Sequence, residues 1–282
     1  MKKLILSLAL GCAALSLPVQ AETVAVATSA DPRATEAGAE ILAKGGSAAD
    51  AAMAMMLALT VVEPQSSGIG GGGFLVHFDG EEGALSTING RETAPAAATP
   101  DRFLGPDGKP LPFLQAFQGG KSVGVPGNIR LAGMAHEKWG KLQWAELFAP
   151  AIRLAEEGFI VNKTLESRLK TVERLWPNFD AARSIYWIDG KPATEGMRIK
   201  NPALAATLRS IASDGPDAFY NGPIANAIVD ASTKAKVNPG DMTLTDLAAY
   251  KAKEQDAICA PYRVYVVCGM APPSSGATTV LQ

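Results

Sequence analysis

A glycine cluster is the first group of residues in this chain whose spacing could support chemistry. In "SSGIGGGGFLVHF", Gly68, Gly70 and Gly73 match G-x-G-x-x-G, the pattern that binds dinucleotide phosphates. That chemistry needs a strand before the glycines and a helix after them, because free backbone N–H groups at a helix N-terminus bind the pyrophosphate. Here the preceding "AADAAMAMMLALTVV" predicts a helix and the following "FLVHFDG" predicts a strand. We therefore interpret the glycines as a tight turn that approaches another part of the protein closely.

Histidines and cysteines are the next candidates for chemistry. The two histidines, His77 and His136, fall in a predicted strand and a predicted helix, and neither has the spacing of metal ligands. Either could assist a nucleophile, but a lone histidine is more often structural, and no nucleophile-elbow motif is present. Cys259 and Cys268 flank the strand-like "APYRVYVV" and would lie on the order of 30 Å apart if extended. We expect two free buried thiols; the alternative is a disulfide, which would need a turn near Ala260 and Pro261.

Arg91 is the candidate binding residue. It follows the strand-like "ALSTI" and precedes the loop "APAAATP", and such junctions often present ligand-binding side chains. Its planar guanidinium suits a carboxylate. Residue chemistry alone nevertheless favours an internal ion pair with Glu92 or Glu63.

The first 21 residues have the three parts of a secretory leader. Two lysines precede an apolar run from Leu4 to Leu17, and Val19-Gln20-Ala21 resembles a cleavage site. The apolar run is short for a membrane span. We expect residues 1–21 to be removed, leaving a periplasmic or secreted protein without membrane contact; an uncleaved N-terminal helix is the alternative.

Composition excludes some function classes. The chain has 282 residues, 47% hydrophobic and 19% charged, with a net charge of −2. Its Lys and Arg residues are scattered, so no nucleic-acid partner is indicated. No sequence signal indicates a metal or an organic cofactor, and we expect neither.

The elements that must position these residues are mostly helices with clear boundaries. A short strand is predicted at "TVAVATS", followed by a helix from Pro32 to Lys44 and a second, nearly all apolar helix that Ser47 caps with Asp50. "FLVHF" and "ALSTI" predict a β-hairpin. Further helices are predicted in "GVPGNIRLAGMAHEKWGK", where a turn precedes a helix that ends at Gly140, at "LQWAELFAPAIRLAEEGF", and after Asn162 and Asn201, with others at "GPIANAIVDASTKAK" and "TLTDLAAY". Residues 22–282 contain no repeat or linker, which indicates one domain.

Several long segments resemble one enzyme family. "GGSAADAAMAMMLALTVVEPQSSGIGGGGFLVHFD", "INGRETAPAAA", "SVGVPGNIRLA", "DMTLTDLAAYKA" and "YRVYVVCGMAPPSSGATTVLQ" are, in this order, similar to the heavy-subunit part of γ-glutamyltranspeptidases, also called glutathione hydrolases. Cephalosporin acylases of the same superfamily are also similar. The resemblance runs from about Thr23 to Gln282 and implies that 22–282 is a truncated heavy-subunit region.

The resemblance implies an α/β (α+β) fold, the αββα sandwich of N-terminal nucleophile hydrolases, incomplete in this chain. It further implies a precursor that cleaves itself, and a partner small subunit whose N-terminal Thr attacks γ-glutamyl compounds such as glutathione. That Thr is expected beyond residue 282, so no catalytic residue is assigned here. Arg91 is expected to bind the α-carboxylate of the γ-glutamyl substrate, and Glu92 to orient Arg91 or its loop rather than to contact the substrate. The alternatives are a cephalosporin acylase and a non-catalytic pseudoenzyme or binding partner.

Overall fold

The computed structural model describes residues 25–282, and the predicted leader 1–21 lies outside this range. Several helices begin where the sequence predicted, with Ser47, Asn162 and Asn201 at their N-caps, and the first helix begins at Pro32 with Asp31 as its N-cap. The α-helices are α1 (Pro32–Ala43), α2 (Ala48–Val62), α3 (Phe113–Ala116), α4 (Asn128–Trp139), α5 (Ala149–Glu157), α6 (Lys163–Thr171), α7 (Asp180–Tyr186), α8 (Pro202–Asp214), α9 (Asp217–Tyr220), α10 (Gly222–Thr233), α11 (Leu244–Ala249) and α12 (Gly276–Leu281). Short 3₁₀ helices span Gly120–Ser122, Trp144–Phe148 and Glu173–Asn178.

The described strands are fewer than the helices, and most of them have five residues or fewer. They are β1 (Gly73–Asp79), β2 (Ala84–Gly90), β3 (Phe159–Ile160), β4 (Trp187–Ile188), β5 (Lys191–Pro192), β6 (Arg198–Ile199), β7 (Lys253–Gln255), β8 (Ile258–Tyr262) and β9 (Tyr265–Gly269). The predicted hairpin is confirmed, since β1 and β2 pair antiparallel from Gly73 opposite Gly90 to Asp79 opposite Ala84. β7 pairs with the other edge of β2, which makes an antiparallel sheet in the order β1-β2-β7.

The two faces of this sheet differ in environment, as the period-two alternation of a strand requires. Leu75 and Ile88 face the helices, where Ile88 is fully buried, and His77 stacks on Trp139 of α4. Val76 and Phe78 alternate with them and are exposed. The mixture of helices packed on a sheet confirms the expected α/β class.

The predicted apolar helix is the centre of the helical layer. α2 contacts α1, α4 and α5, and its side chains Met53, Leu57 and Val61 are almost completely buried. Its alanines permit this close packing from several sides. Because α4 packs against both α2 and the strands β1 and β2, the core holds the end of β2 in a fixed place.

The N-terminal strand prediction is wrong for the residues that the structure describes. Residues 25–29 of "TVAVATS" are not in a strand, and Val26 is 80% exposed. Extended geometry becomes a strand only when a neighbouring strand supplies hydrogen bonds, and none of the described strands pairs with this segment.

The expectation of free buried thiols is also wrong. Cys259 and Cys268 form a disulfide, and Cys259 is exposed. The physical reason is a tight turn at Arg263 and Val264, where Arg263 has φ of 57°, so that β8 and β9 form a hairpin. The two cysteines are directly opposite in its register, with Cα atoms 4.1 Å apart. The disulfide alternative is therefore correct, but the turn that it needs is not near Ala260 and Pro261, which lie within β8.

Candidate functional site

Arg91 lies immediately after β2, as its sequence position predicted. Its side chain is 54% exposed, and the nearest carboxylate among the described residues belongs to Glu92, with Nε and Oε2 3.9 Å apart. This distance exceeds that of a hydrogen bond, so the predicted ion pair is present but loose. Glu63, the other expected partner, bonds to Gln65 instead. The guanidinium is therefore available to a ligand.

The backbone of Arg91 is held on both sides of its Cα atom. Its N–H donates to Oδ1 of Asn89 at 2.9 Å, and its carbonyl accepts a hydrogen bond from the hydroxyl of Tyr250 at 2.7 Å. Asn89 pairs with Phe74 in the sheet. An exposed side chain thus stands on a fixed main chain, which is the arrangement that a precise binding residue needs.

The glycine cluster packs beside this position. Gly71 O accepts hydrogen bonds from the N–H groups of Gly127 and Asn128, at 2.9 and 3.1 Å, at the start of α4. A Cβ atom on Gly72 would lie 2.6 Å from the backbone nitrogen of Glu92. The sequence interpretation of a close backbone approach is confirmed, and the strand β1, not a helix, follows the glycines. The N–H groups of Gly127 and of Asn128, the first residue of α4, are therefore already bonded to the turn.

A cleft of about 400 Å³ opens beside Arg91. It is lined by Arg91, Glu92, Thr93, Ala94, Pro95, Ala98, Arg102, Phe103, Lys121, Ser122, Val123 and Gly124. Arg102 is nearly buried, and its guanidinium binds Asp241 with two hydrogen bonds of 2.7 and 2.8 Å, while its Nε donates to the carbonyl of Lys121. All three guanidinium nitrogens of Arg102 thus donate hydrogen bonds within the protein, whereas the guanidinium of Arg91 has, among the described residues, only its loose ion pair with Glu92.

The electrostatics of the cleft follow from these contacts. The hydrogen bonds from Arg102 hold the pKa of Asp241 below its usual range. Burial, with the charge of Glu92 adding to it, raises the pKa of Tyr250 to about 12. Asp241 is thus charged and the Tyr250 hydroxyl is protonated at neutral pH.

Both histidines are engaged in packing. His77 stacks on Trp139 with ring centroids 4.1 Å apart, and Nε2 of His136 is hydrogen-bonded to the carbonyl of Leu142 at 2.8 Å. No cluster of three or more His, Cys, Asp or Glu side chains in residues 25–282 is arranged to hold a metal ion. Within the same range, no helix has both the length and the apolar character needed to cross a bilayer.

Sequence reasoning missed three residues of the site. Arg102, Asp241 and Tyr250 were not singled out, although Asp241 and Tyr250 belong to the quoted segment "DMTLTDLAAYKA". An Asp before a helix and a Tyr after it have ordinary local explanations, and their partners lie 139 and 159 residues away in the chain. Local patterns carry no signal for such contacts.

Comparisons with known proteins identify the family to which the chain belongs. The family model of γ-glutamyltranspeptidase matches residues 34–282. The glutathione hydrolase proenzyme of Bacillus subtilis (strain 168) is 40% identical over 253 residues, which are 90% of this chain and 42% of that protein. The structure of Helicobacter pylori γ-glutamyltranspeptidase is 34% identical with a TM-score of 0.86, covering 93% of this chain and 74% of that chain.

A cephalosporin acylase from Bacillus halodurans is also similar, with a TM-score of 0.72 and 32% identity over 83% of this chain and 44% of that chain. The fold therefore places the protein in the class of N-terminal nucleophile hydrolases. Within that class, the chain belongs to the γ-glutamyltranspeptidase family. It spans less than half the length of the curated Bacillus subtilis relative.

Proposed function

We propose that this chain is the heavy-subunit region of an enzyme that hydrolyses and transfers γ-glutamyl bonds in glutathione and related compounds. Residues 22–282 form that region, and residues 1–21 are a leader that exports it to the periplasm or the exterior. Its partner is a small subunit, made by self-cleavage of the same precursor. The similarity to the glutathione hydrolase proenzyme of Bacillus subtilis supports this proposal.

The observation that carries the proposal is the state of Arg91. Its backbone is fixed at both sides, its side chain is more than half exposed beside a cleft, and its nearest carboxylate is 3.9 Å away. A guanidinium held in this way presents two parallel N–H donors to a carboxylate. We assign it the α-carboxylate of the γ-glutamyl group.

In the proposed reaction, Arg91 holds the substrate while the bond is cut elsewhere on the glutamyl chain. The hydroxyl oxygen of the small subunit's N-terminal Thr attacks the γ-carbonyl carbon, and the α-amine of that Thr takes the hydroxyl proton. The same proton passes to the leaving amine as the C–N bond breaks. Water or an acceptor amine then resolves the γ-glutamyl ester. Arg91 is remote from the bonds that change, so it binds substrate and transition state equally.

The test is the Arg91→Lys variant of the full-length protein, assayed with γ-glutamyl-p-nitroanilide. One of two charge-assisted hydrogen bonds is lost, which corresponds to an increase in KM of about tenfold or more with little change in kcat. Arg209→Lys is the matched control, because Arg209 is also about half exposed and pairs with Glu156 on the surface.

Each outcome of this assay is informative. An unchanged KM in Arg91→Lys would refute the role of Arg91. A wild-type protein that cleaves a cephalosporin side-chain amide but not the γ-glutamyl anilide would favour the acylase alternative. A protein inactive on both would favour the non-catalytic binding partner.

A further inference from the structure

Tyr250 connects the end of α11 to the candidate binding residue. It follows α11 directly, is 5% exposed, and donates its hydroxyl proton to the carbonyl oxygen of Arg91 over 2.7 Å. A buried tyrosine hydroxyl normally has such a partner, because an unpaired buried donor costs free energy. Here the partner is the main chain of the one arginine in the cleft whose fork is free for a ligand.

Tyr250 is itself held in place by a second tyrosine. Its ring stacks on Tyr220, with centroids 5.9 Å apart and planes inclined by 7°. Tyr220 is also buried; its hydroxyl donates to the carbonyl of Pro126 at 3.0 Å and accepts from the N–H of Arg130 at 3.2 Å. The guanidinium of Arg130 lies over the Tyr220 ring. We call Tyr220 and Tyr250 together the tyrosine brace.

The tyrosine brace ties two neighbouring backbone segments together. One is the end of β2 at Gly90 and Arg91; the other is the turn at Pro126 and Gly127 before α4. A Cβ atom on Gly127 would lie 2.0 Å from the carbonyl oxygen of Gly90 and 2.2 Å from the hydroxyl of Tyr250. The Tyr250 hydroxyl therefore lies at the point where these two backbone segments approach each other most closely beside Gly127.

The hydroxyl remains a donor over the whole working range of pH. Burial raises the pKa of Tyr250 to about 12, so the bond to Arg91 does not titrate near neutrality. The contact is therefore a constant geometric restraint rather than a switch.

We propose that Tyr250 is a positioning residue, which sets the direction of the Arg91 guanidinium through its hydrogen bond to the Arg91 carbonyl. The inference rests on the proposed function, in which Arg91 binds the α-carboxylate. A misplacement of about 1 Å is enough to weaken recognition substantially. Without the hydroxyl, the Arg91 carbonyl loses its partner and the peptide is free to rotate, so the two N–H donors no longer meet the carboxylate together.

The test is Tyr250→Phe in the full-length protein, with two donors: γ-glutamyl-p-nitroanilide and the same anilide with its α-carboxylate converted to a carboxamide. We expect KM for the first donor to rise about fivefold with kcat nearly unchanged, and the preference for the carboxylate donor to fall by a similar factor. Tyr186→Phe is the control, because Tyr186 is also largely buried, with a pKa raised to about 12, but lines a different cleft. It should change neither quantity.

A reduced preference for the carboxylate donor over the carboxamide donor indicates that Tyr250 positions Arg91. A general loss of stability would instead lower activity on both donors equally. A Tyr250→Phe variant that loses activity equally on both donors would overturn the inference, as would one with unchanged KM. If Tyr250→Phe does not fold, Tyr220→Phe retains the ring stack and should show a smaller loss of the same preference; an unchanged preference there would overturn the inference. Failure of the proposed function is distinguishable, because Arg91→Lys would then leave the wild-type preference intact.

Discussion

Replacing Asp50 by alanine should lower the free energy of unfolding by about 3 kcal/mol, which is large for a protein stabilised by about 5 to 15 kcal/mol in total. Asp50 is fully buried near the start of α2. Its Oδ2 atom accepts three backbone hydrogen bonds: from Ser47 at 2.9 Å, Lys141 at 2.8 Å and Leu142 at 3.1 Å. The residue thus caps its own helix and holds the segment that follows α4.

The magnitude follows from these contacts. Three donors lose a charged acceptor, and at about 1.5 kcal/mol each the gross loss is about 4 to 5 kcal/mol. Against this, Oδ1 of Asp50 has no partner among the described residues, so removing the carboxylate relieves part of its desolvation cost. The net expectation is about 3 kcal/mol for Asp50→Ala and about 1 to 2 kcal/mol for Asp50→Asn, which keeps an oxygen acceptor.

The assay is urea unfolding of the full-length protein, with the midpoint compared at constant m-value. Asp246→Ala is the comparison, because Asp246 holds the same capping-box position with Thr243 in α11 but is only partly buried and accepts one long-range hydrogen bond instead of two, from the N–H of Ala96 at 2.9 Å. We expect about 1 kcal/mol there. Equal losses for Asp50→Ala and Asp246→Ala would refute the argument that burial and the two long-range donors make Asp50 special.

Two further predictions concern the cleft wall and the hairpin. Because Arg102 lowers the pKa of Asp241, the pair should stabilise the fold fully above pH of about 4 and lose this contribution as pH falls through the lowered pKa. The difference in unfolding free energy between wild type and Asp241→Asn, about 1 kcal/mol because Asp241 is partly exposed, should shrink in acid; a pH-independent difference would contradict this. Replacing both Cys259 and Cys268 by Ser removes a cross-link with a sequence separation of 9 and should cost about 2 to 3 kcal/mol. Reducing agent should destabilise the wild type but not the double variant, and equal sensitivity would contradict the assignment.

Local sequence signals were sufficient for much of the fold. The capping box of Ser47 and Asp50 and the caps at Asn162 and Asn201 place their helices correctly. The sequence also predicted the hairpin of β1 and β2 correctly. Each of these signals depends on residues only a few positions apart in the chain. The local sequence therefore contains the information that fixes each element.

The two wrong predictions, the N-terminal strand and the free thiols, concern segments whose structure depends on which strand lies beside them. "TVAVATS" has strand-forming residues, but 25–29 lie beside no described strand. "APYRVYVV" also has strand character, yet Arg263 adopts a positive φ and folds it into a hairpin that joins Cys259 to Cys268. Strand propensity shows only that a segment can adopt extended geometry, and the presence of a neighbouring strand decides which pairing it forms.

The sequence by itself determined most of the longer helices, the β1–β2 hairpin, the family resemblance and the position of Arg91 at a strand end. The tertiary structure alone decided that Arg102 is occupied by Asp241 while the fork of Arg91 is free, and that Tyr250 restrains the Arg91 peptide. The physical reason is distance along the chain: these bonds join residues 139 and 159 positions apart. Such contacts form only when the packing of α4 and α11 brings the segments together, and no periodicity or local motif encodes them.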